Sequence, residues 1–412
     1  MPFTGRRFSR LMSSFSQPLL VRFETRIWVI AILDLLTAAG FSLSIPFLSL
    51  YLYQNRDIPM TLVGTIILIG GIFSAVTHMV GGELSDRFGR RLILLIAIGI
   101  RVPTYAGMAV LIGVSAPIWA ISLVYIVGQS VGMMARPVLS AMVVDLVPKE
   151  RLTETYGFLR VGQNLGWAIG PAVGGYLATF LPYAWLFGVA ALISVLGFPF
   201  VLFFLRESFQ KTAGQVEPLG IFSIASDRVF LIFTGVSLLV LLVAGQMMST
   251  LSIFTVDRMG FSTAQYGLLL TVNGLVVILF QYPVAHRVST MIKSKVLILG
   301  SLLYGVGYLF FGWIGSFALA ILAMVILTVG EIIFSPVALS VVGELSPEKY
   351  RGRYMGFYEL SHTLGFTAGP LLGGILLDSF PTDSWPIWGI IAFIALLAGT
   401  GFYRMGIKRH LN

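Results

Sequence analysis

The chain has 412 residues, of which 57% are hydrophobic and only 11% are charged, and its mean hydropathy is +0.91. Because soluble domains carry about 25% charged residues, this composition excludes a soluble globular protein and predicts a surface that faces lipid. The sequence contains no cysteine, which excludes a disulfide framework and a thiolate metal site, and we expect no other metal site.

Twelve apolar runs follow one another along the chain, and most have the roughly 20 residues that a helix needs to cross a bilayer. They lie near residues 27–52, 61–80, 92–114, 118–144, 157–180, 184–205, 229–255, 264–285, 296–314, 317–342, 355–379 and 386–405. The predicted fold class is therefore an all-α membrane protein with 12 transmembrane helices.

A polar stretch between the sixth and seventh runs divides the chain into two sets of six spans. The other loops are short, so no extramembrane domain of useful size fits between the remaining runs. The predicted parts are a basic N-terminal segment (1–26), a six-helix bundle (27–206), a linker (207–228), a second six-helix bundle (229–405) and a tail (406–412).

Basic residues mark one side of the predicted membrane protein. With the N-terminus inside, the loops on that side carry most of the 27 Lys and Arg residues, whereas Arg56 and Arg258 lie in the opposite loops. The positive-inside rule therefore places both termini and the linker in the cytoplasm, and the protein in the inner, cytoplasmic membrane of the cell. The net charge of +9 reflects this topology and contact with anionic lipids, so we expect membrane lipids but no nucleic acid as partners.

A pattern of glycines and one proline occurs twice in the chain, 199 residues apart (356 − 157). In the fifth run it consists of Gly157, Gly166, Gly170, Pro171, Gly174 and Gly175. In the eleventh run it is repeated by Gly356, Gly365, Gly369, Pro370, Gly373 and Gly374. Because chance rarely places so many equivalent positions in register, the pattern predicts a duplicated unit. Two similar halves in an apolar chain indicate a transporter with its site between them.

A second motif follows the second run, where ten residues read Gly-Glu-Leu-Ser-Asp-Arg-Phe-Gly-Arg-Arg. Its defining positions are Gly82, Asp86, Arg87, Gly89, Arg90 and Arg91. This motif resembles the loop signature of the major facilitator superfamily, G-x-L-x-D-R-x-G-R-R, and lies between spans two and three as in that family. The glycine pattern of span five is similar to the antiporter motif of its drug:proton exporters. Asp145, Pro148 and Arg151 after span four, and Glu331 with Pro336 in span ten, are similar to multidrug members.

The resemblance implies the major facilitator fold, in which two pseudo-symmetric halves of six helices enclose a central site. It also implies a multidrug efflux transporter of the drug:proton antiporter type. The chain departs from the family pattern in two places. The second-half counterpart of the loop motif is eroded, and Arg136 lies further along span four than the arginine that the family carries there.

The loop motif has a physical interpretation of its own. Asp86 stands at a membrane boundary among three arginines, where a carboxylate can pair with basic loops or cap a helix N-terminus. We therefore predict a cytoplasmic gate, formed by the loop motif with Asp145 and Arg151, that latches the inner ends of the two halves. The alternative is a solvated turn, which explains the arginines but not the spacing of Gly82, Asp86 and Gly89.

The glycines of span five recur on one helical face and allow another helix to approach closely. Pro171 removes a backbone donor and bends the helix. Together they predict a tightly packed, kinked seam that seals one side of a cavity. Since span eleven carries the same pattern, the motif can mark packing between the halves rather than the direction of transport.

Six charged residues lie within the predicted spans: Asp34, Glu331, Glu359, Arg101, Arg136 and Arg160. A charge near the bilayer centre costs about 2.5–3.5 kcal/mol, so we expect all six to face protein or a water-filled cavity. Counted along helices, Asp34, Arg101 and Arg136 lie at similar depth, roughly 12–15 Å from the cytoplasmic face. We therefore expect Asp34 to pair with Arg101 or Arg136. Arg160 and Glu359 occupy equivalent positions of the repeat with opposite charge.

Glu331 lies deepest, roughly 20 Å from the inner face, and no basic residue is obvious at that depth. An unpaired carboxylic acid in apolar surroundings favours its protonated form. Glu331 is therefore predicted to carry protons or to bind a cationic substrate; the alternative is a structural acid that bonds to a neighbouring helix. His362 is either a proton relay or a polar packing residue. Gln246, Met247, Met248 and Asn273 are candidates for the cavity lining.

These features predict a secondary active transporter that exports lipophilic, cationic small molecules by alternating access, in exchange for protons. We expect a monomer whose energy source is the proton gradient and which has no cofactor. A lipid or lysolipid flippase, or another major facilitator exporter, is the alternative within transport. An enzyme is not expected, because the chain lacks cysteine and an H-E-x-x-H motif and its four histidines are scattered.

Overall fold

The computed structural model describes residues 23–148, 151–208, 227–347 and 351–407. In these ranges the chain forms twelve long helices and no strand. They are α1 Thr25–Asn55, α2 Met60–Phe88, α3 Arg90–Gly113, α4 Ile118–Leu146, α5 Leu152–Phe180, α6 Ala184–Phe204, α7 Arg228–Arg258, α8 Thr263–Val288, α9 Lys293–Phe311, α10 Phe317–Leu345, α11 Arg351–Ser379 and α12 Ser384–Ile407. All except α5 are by themselves long and apolar enough to cross a membrane. The predicted all-α membrane fold is confirmed.

The helix bounds fall close to the predicted parts of the chain. The first set of helices ends at Phe204 and the second begins at Arg228, beside the predicted bundles 27–206 and 229–405. The predicted N-terminal segment, linker and tail lie mostly outside the described residues, which include only positions 23–26, 207–208, 227–228 and 406–407 of those parts.

The packing of the helices repeats from one half to the other. In the first half α1 packs along α5 and α3 packs along α6; in the second half α7 packs along α11 and α9 packs along α12. The halves meet where α2 packs along α11 and where α8 packs along α5. Adding six to, or subtracting six from, each helix number converts every one of these pairs into another pair. The fold therefore shows the duplication that the glycine pattern predicts.

Both contacts between the halves are tightest at one end of the bundle. We name the end where α1 begins and α12 ends the termini side, and the opposite end the far side. On the far side, Gly64 of α2 leaves no room for a side chain against the backbone of Leu371, and Gly374 of α11 leaves none against Met60. Only glycine permits two helices to approach this closely.

The second contact, between α5 and α8, is equally tight. A Cβ atom on Gly175 would lie 2.5 Å from the carbonyl oxygen of Thr263, and Gly267 lies directly against the Pro171 carbonyl. A Cβ atom on Gly274 would lie 2.8 Å from the Cα of Ala168. The far side of the bundle is therefore closed by backbone-to-backbone packing.

The termini side is arranged differently. Among the described residues, its ion pairs stay within one half, as Arg90–Asp145 (3.0 Å) and Lys293–Glu344 do. No atom comes within 4 Å of a Cβ placed on the first glycine of either repeated pattern, Gly157 or Gly356. Among the described residues, the close backbone contacts between the halves thus lie on the far side, and we infer that a cleft between the halves opens on the termini side.

Helix α7 is interrupted near its middle, where a short 3₁₀ turn from Gly245 to Met248 precedes a non-helical Ser249. The carbonyl groups released by this break are bonded by tyrosines: the hydroxyl of Tyr266 donates to Met247 (3.0 Å), and that of Tyr308 donates to Ala244 (3.3 Å). A backbone carbonyl at membrane depth needs a hydrogen bond of this kind, because no water is present there to replace the lost helical one.

Candidate substrate and proton site

The carboxylate of Asp34 faces two arginines from neighbouring helices. The charges of Arg136 on α4 and Arg101 on α3 both act on it, that of Arg136 more strongly. Among the described residues, however, neither guanidinium lies within the 4.0 Å of an ion pair. Asp34 therefore makes no direct ion pair with either arginine in this conformation, although both charges act on it, and its pairing with Arg101 or Arg136 stays a prediction. Arg101 is instead placed over α4, where its Nη2 donates to the carbonyl oxygen of Gly132 at 3.2 Å.

We expect Asp34→Asn and Arg136→Gln to be coupled, because removing one charge leaves the other uncompensated inside the protein. Each single variant should lower the melting temperature of the detergent-solubilised protein, and the double variant should recover part of the loss. The coupling energy should be about 1 kcal/mol or more, and larger than that of Asp34→Asn with Arg101→Gln. Additive losses of stability in the Asp34–Arg136 cycle would contradict the stronger interaction of Asp34 with Arg136 than with Arg101.

Glu331 lies half-buried on α10 and is held by a neighbouring helix. Its Oε2 accepts a hydrogen bond of 2.8 Å from Asn273 on α8, which also donates to the hydroxyl of Thr328 at 3.0 Å. The buried tyrosines Tyr304 and Tyr308 of α9 lie within reach of its charge. The carboxylate thus keeps one bonded oxygen and one oxygen without a hydrogen bond among the described residues, an arrangement that allows a proton to be gained or lost.

A basic charge from the other half acts on Glu331. Among the described charged groups, the guanidinium of Arg160 on α5 is the one that acts on it. The expectation that no basic residue interacts with the Glu331 carboxylate is therefore wrong. Distance along a helix does not show that a residue of the opposite half faces the same part of the cleft.

A second group of titratable residues spans the cleft nearer the termini side. Glu359 and His362 are exposed on α11, and the charge of Glu359 acts on both His362 and His78 of α2. The charge of Arg136 on α4 acts on the same two histidines. The structure thus brings Glu359, His362 and Arg136 together. His78 was not predicted, although a lone histidine within an apolar span is a visible signal in the sequence.

The predicted cytoplasmic gate forms a connected network within the first half. Arg90 is largely buried and links Asp145 of α4 (3.0 Å) to Asp86 of α2 (3.7 Å). Arg87 pairs with Glu83 at 2.6 Å, and Arg151 pairs with Glu154 at 3.6 Å. Gly82 lies against Pro137 of α4. A latch between the halves stays a prediction, since the described partner of Asp86 belongs to its own half.

Gly89 and the arginines after it have a partner that the sequence did not indicate. The carboxylate of Glu207 accepts hydrogen bonds from the backbone N–H groups of Arg90 (3.0 Å) and Arg91 (3.1 Å), at the start of α3. Gly89 has a φ of +97°, and a Cβ there would lie 2.7 Å from that carboxylate. The loop motif therefore binds Glu207, the first residue of the predicted linker, three residues after the end of α6.

The glycine pattern of α5 serves two contacts. Gly166, Gly170 and Gly174 lie against the backbone of α1 in the same half, and Gly175 lies against α8 of the other half. Gly157 has no neighbour within 4 Å. Most of the motif therefore packs helices within one half, and its final glycine contributes to the seam between halves.

The repeated pattern in α11 divides its contacts in the same way. Gly365, Gly369 and Gly373 lie against α7, whereas Gly374 lies against α2. The two motifs thus perform equivalent packing roles in the two halves. The sequence did not indicate the glycines that these motifs contact in the opposite half. Their spacing was nevertheless visible, since Gly64 with Gly71 and Gly267 with Gly274 are each separated by seven residues.

Comparison with known families identifies the class of protein. A family model described as Major Facilitator Superfamily matches residues 30–286 and 256–409. The chain therefore belongs to the major facilitator superfamily of transporters, as its loop motif predicted. The fold agrees: the chain is similar to the solved peptide transporter POT with sulfate (TM-score 0.78, 17% identity, 98% of this chain and 99% of that chain). It is also similar to the nucleoside transporter NupG (TM-score 0.79, 15% identity, 93% and 99%).

The curated relatives are transporters of several kinds. The chain is 25% identical to the tetracycline resistance protein, class B, of Escherichia coli, over 89% of this chain and 92% of the relative. It is 23% identical to the multidrug resistance protein MdtH of Salmonella typhimurium, over 89% and 91%. It is 25% identical to the Na(+), Li(+), K(+)/H(+) antiporter of Planococcus maritimus, over 87% and 91%.

Proposed function

We propose that this transporter exports lipophilic, cationic small molecules in exchange for protons across the cytoplasmic membrane. The observation that carries the proposal is Glu331, a carboxylate within a membrane-spanning helix that has one oxygen bonded by Asn273 and on which the charge of Arg160 acts from the opposite half. Relatives that include multidrug resistance proteins and a cation/proton antiporter support it. We take the protein to act as a monomer, with the proton gradient as its energy source.

The proposed exchange follows from competition for one carboxylate. A cation and a proton both neutralise Glu331, so binding of one disfavours binding of the other. The hydrogen bond from Asn273 fixes one oxygen and leaves the other for either ligand. If each neutral form permits the halves to rock and the free carboxylate does not, an inward proton is exchanged for an outward cation.

The conformation of the structure fits the loading step of this cycle. The cleft is open on the termini side, which the positive-inside rule assigns to the cytoplasm. A lipophilic cation would enter from the cytoplasm or the inner leaflet, meet Glu359 and His362 near the entrance, and reach Glu331 deeper in the cleft. The predicted gate at Asp86 would close behind it in the other state.

A transport screen in proteoliposomes with an imposed pH gradient tests the proposal. We expect lipophilic cations to accumulate on the acidic side, and accumulation to collapse when a protonophore is added. Empty liposomes provide the background. Translocation of a fluorescent lysolipid without any dependence on the pH gradient, together with no movement of cations, would overturn the proposal in favour of a flippase.

A further inference from the structure

Helix α2 begins at the seam between the halves without a cap from its own sequence. The residue before its first turn is Pro59, whose side chain cannot accept a hydrogen bond, and none is made there. The first N–H groups of a helix have no partner within the helix and are normally bonded by such a cap. At the far side of this protein, the start of α2 therefore depends on another element.

The missing cap comes from the second half of the protein. The carboxylate of Asp378, at the end of α11, accepts hydrogen bonds from the backbone N–H groups of Met60 (3.0 Å) and Thr61 (2.8 Å). It also accepts one from the hydroxyl of Thr61 at 2.7 Å. Gly374, one turn earlier on α11, lies against the Met60 carbonyl and permits this approach. A charge-assisted cap at the positive end of a helix dipole is a strong contact.

Other polar groups surround this cap on the far side. Arg258 of α7 donates to the carbonyl oxygen of Leu377 at 2.8 Å, and its charge and the hydroxyl of Tyr53 on α1 both interact with Asp378. The charge of Asp257 of α7 also acts on the Tyr53 hydroxyl across the halves. The first turn of α2 carries no titratable side chain. Arg258 is therefore the basic side chain that faces Asp378 among the described residues.

We propose that Asp378 is a far-side latch, which holds the halves together in the conformation of the structure. Opening the far side must separate the Asp378 carboxylate from α2, because the two belong to different halves. The latch does not depend on the identity of the transported substrate.

Distances between spin labels in lipid nanodiscs test the latch. The chain lacks cysteine, so labels can be placed without a background of native thiols. One pair, Asn55 and Gly315, reports on the far side, and a second pair, Gly157 and Gly356, reports on the termini side. No atom lies within 4 Å of the Cβ position of any of these three glycines, so each has open space for a side chain. Asp378→Asn should raise the ratio of far-side-open to far-side-closed molecules about tenfold, equivalent to 1.4 kcal/mol.

Two further variants sharpen the experiment. Asp383→Asn is the matched control, because Asp383 is an exposed acid of the same far-side loop that caps no helix among the described residues. It should leave both distances as in the wild type. Thr61→Val removes the hydroxyl bond alone and should shift the ratio in the same direction by a smaller factor, which keeps the test valid if Asp378→Asn does not fold. Wild-type distances in Asp378→Asn, or an equal shift in Asp383→Asn, would overturn the latch. If transport shows no proton coupling but Asp378→Asn opens the far side, the proposed function fails while the latch stands.

Discussion

Glu331→Gln is expected to abolish transport of a cation against its gradient while the protein folds and still moves substrate down a gradient. Glutamine mimics the protonated acid at nearly constant shape, and it can keep the hydrogen bond from Asn273, which measures 2.8 Å in the wild type. The substitution therefore removes the exchangeable proton and the charge without creating a cavity. Arg160 would then face a neutral partner in every state of the cycle.

The size of the effect follows from the driving force. A pH difference of one unit is worth about 1.4 kcal/mol per proton, or about tenfold accumulation of substrate. Exchange of one proton for one singly charged cation moves no net charge, so the membrane potential does no work on it. Wild-type proteoliposomes should respond to the pH gradient and not to the potential when these are set separately, whereas Glu331→Gln should respond to neither.

Glu344→Gln provides the matched control for this prediction. Glu344 lies on the same helix, α10, but at the termini side, where it pairs with Lys293 of its own half. Its loss should weaken a surface ion pair, which is worth about 0–1 kcal/mol, and leave accumulation intact. Wild-type dependence on the pH gradient in Glu331→Gln would show that Glu331 is a structural acid.

Gly374→Val is expected to prevent the far side from closing. The added side chain would meet the backbone of α2 at Met60, which cannot rotate away as a flexible side chain could. Overpacking of this kind costs about 1–3 kcal/mol or more, enough to displace an equilibrium between two conformations by tenfold or more. Transport should fall sharply, because the cycle needs the closed far side in one of its states.

Gly356→Val tests whether this effect belongs to the seam. Gly356 is the first glycine of the same motif on the same helix, and no atom lies within 4 Å of its Cβ position. In the described conformation this variant should be tolerated. Far-side distances between labels should lengthen in Gly374→Val alone. Equal transport in the two variants and wild type would contradict the role of the seam.

The fold was predictable because the bilayer leaves few choices. An apolar run of span length has to form a helix in lipid, and the glycine pattern repeated at positions 157 and 356 made the duplication visible. The loop motif supplied the family. What the sequence did not show was how the motif is used, since the Glu207 partner of the loop lies 117 residues from Arg90.

The sequence predicted which residues form the candidate site, but not how those residues are arranged. Charges are so rare within the spans that Asp34, Glu331 and their companions stood out. Depth along a helix does not reveal the direction in which a side chain points, so the sequence could not decide between the partners of Asp34 and did not indicate that Arg160 acts on Glu331. Asp378 escaped attention because an acid at the end of a span resembles an ordinary loop residue.

The most direct test of the account measures proton movement that is driven by substrate. A lipophilic cation found in the screen is added outside proteoliposomes that contain a pH-sensitive dye, with the membrane potential clamped. As the cation enters, wild-type protein should carry protons out and make the lumen alkaline, and Glu331→Gln should leave the lumenal pH unchanged. Entry of the cation through wild-type protein without any change of lumenal pH would contradict proton-coupled exchange.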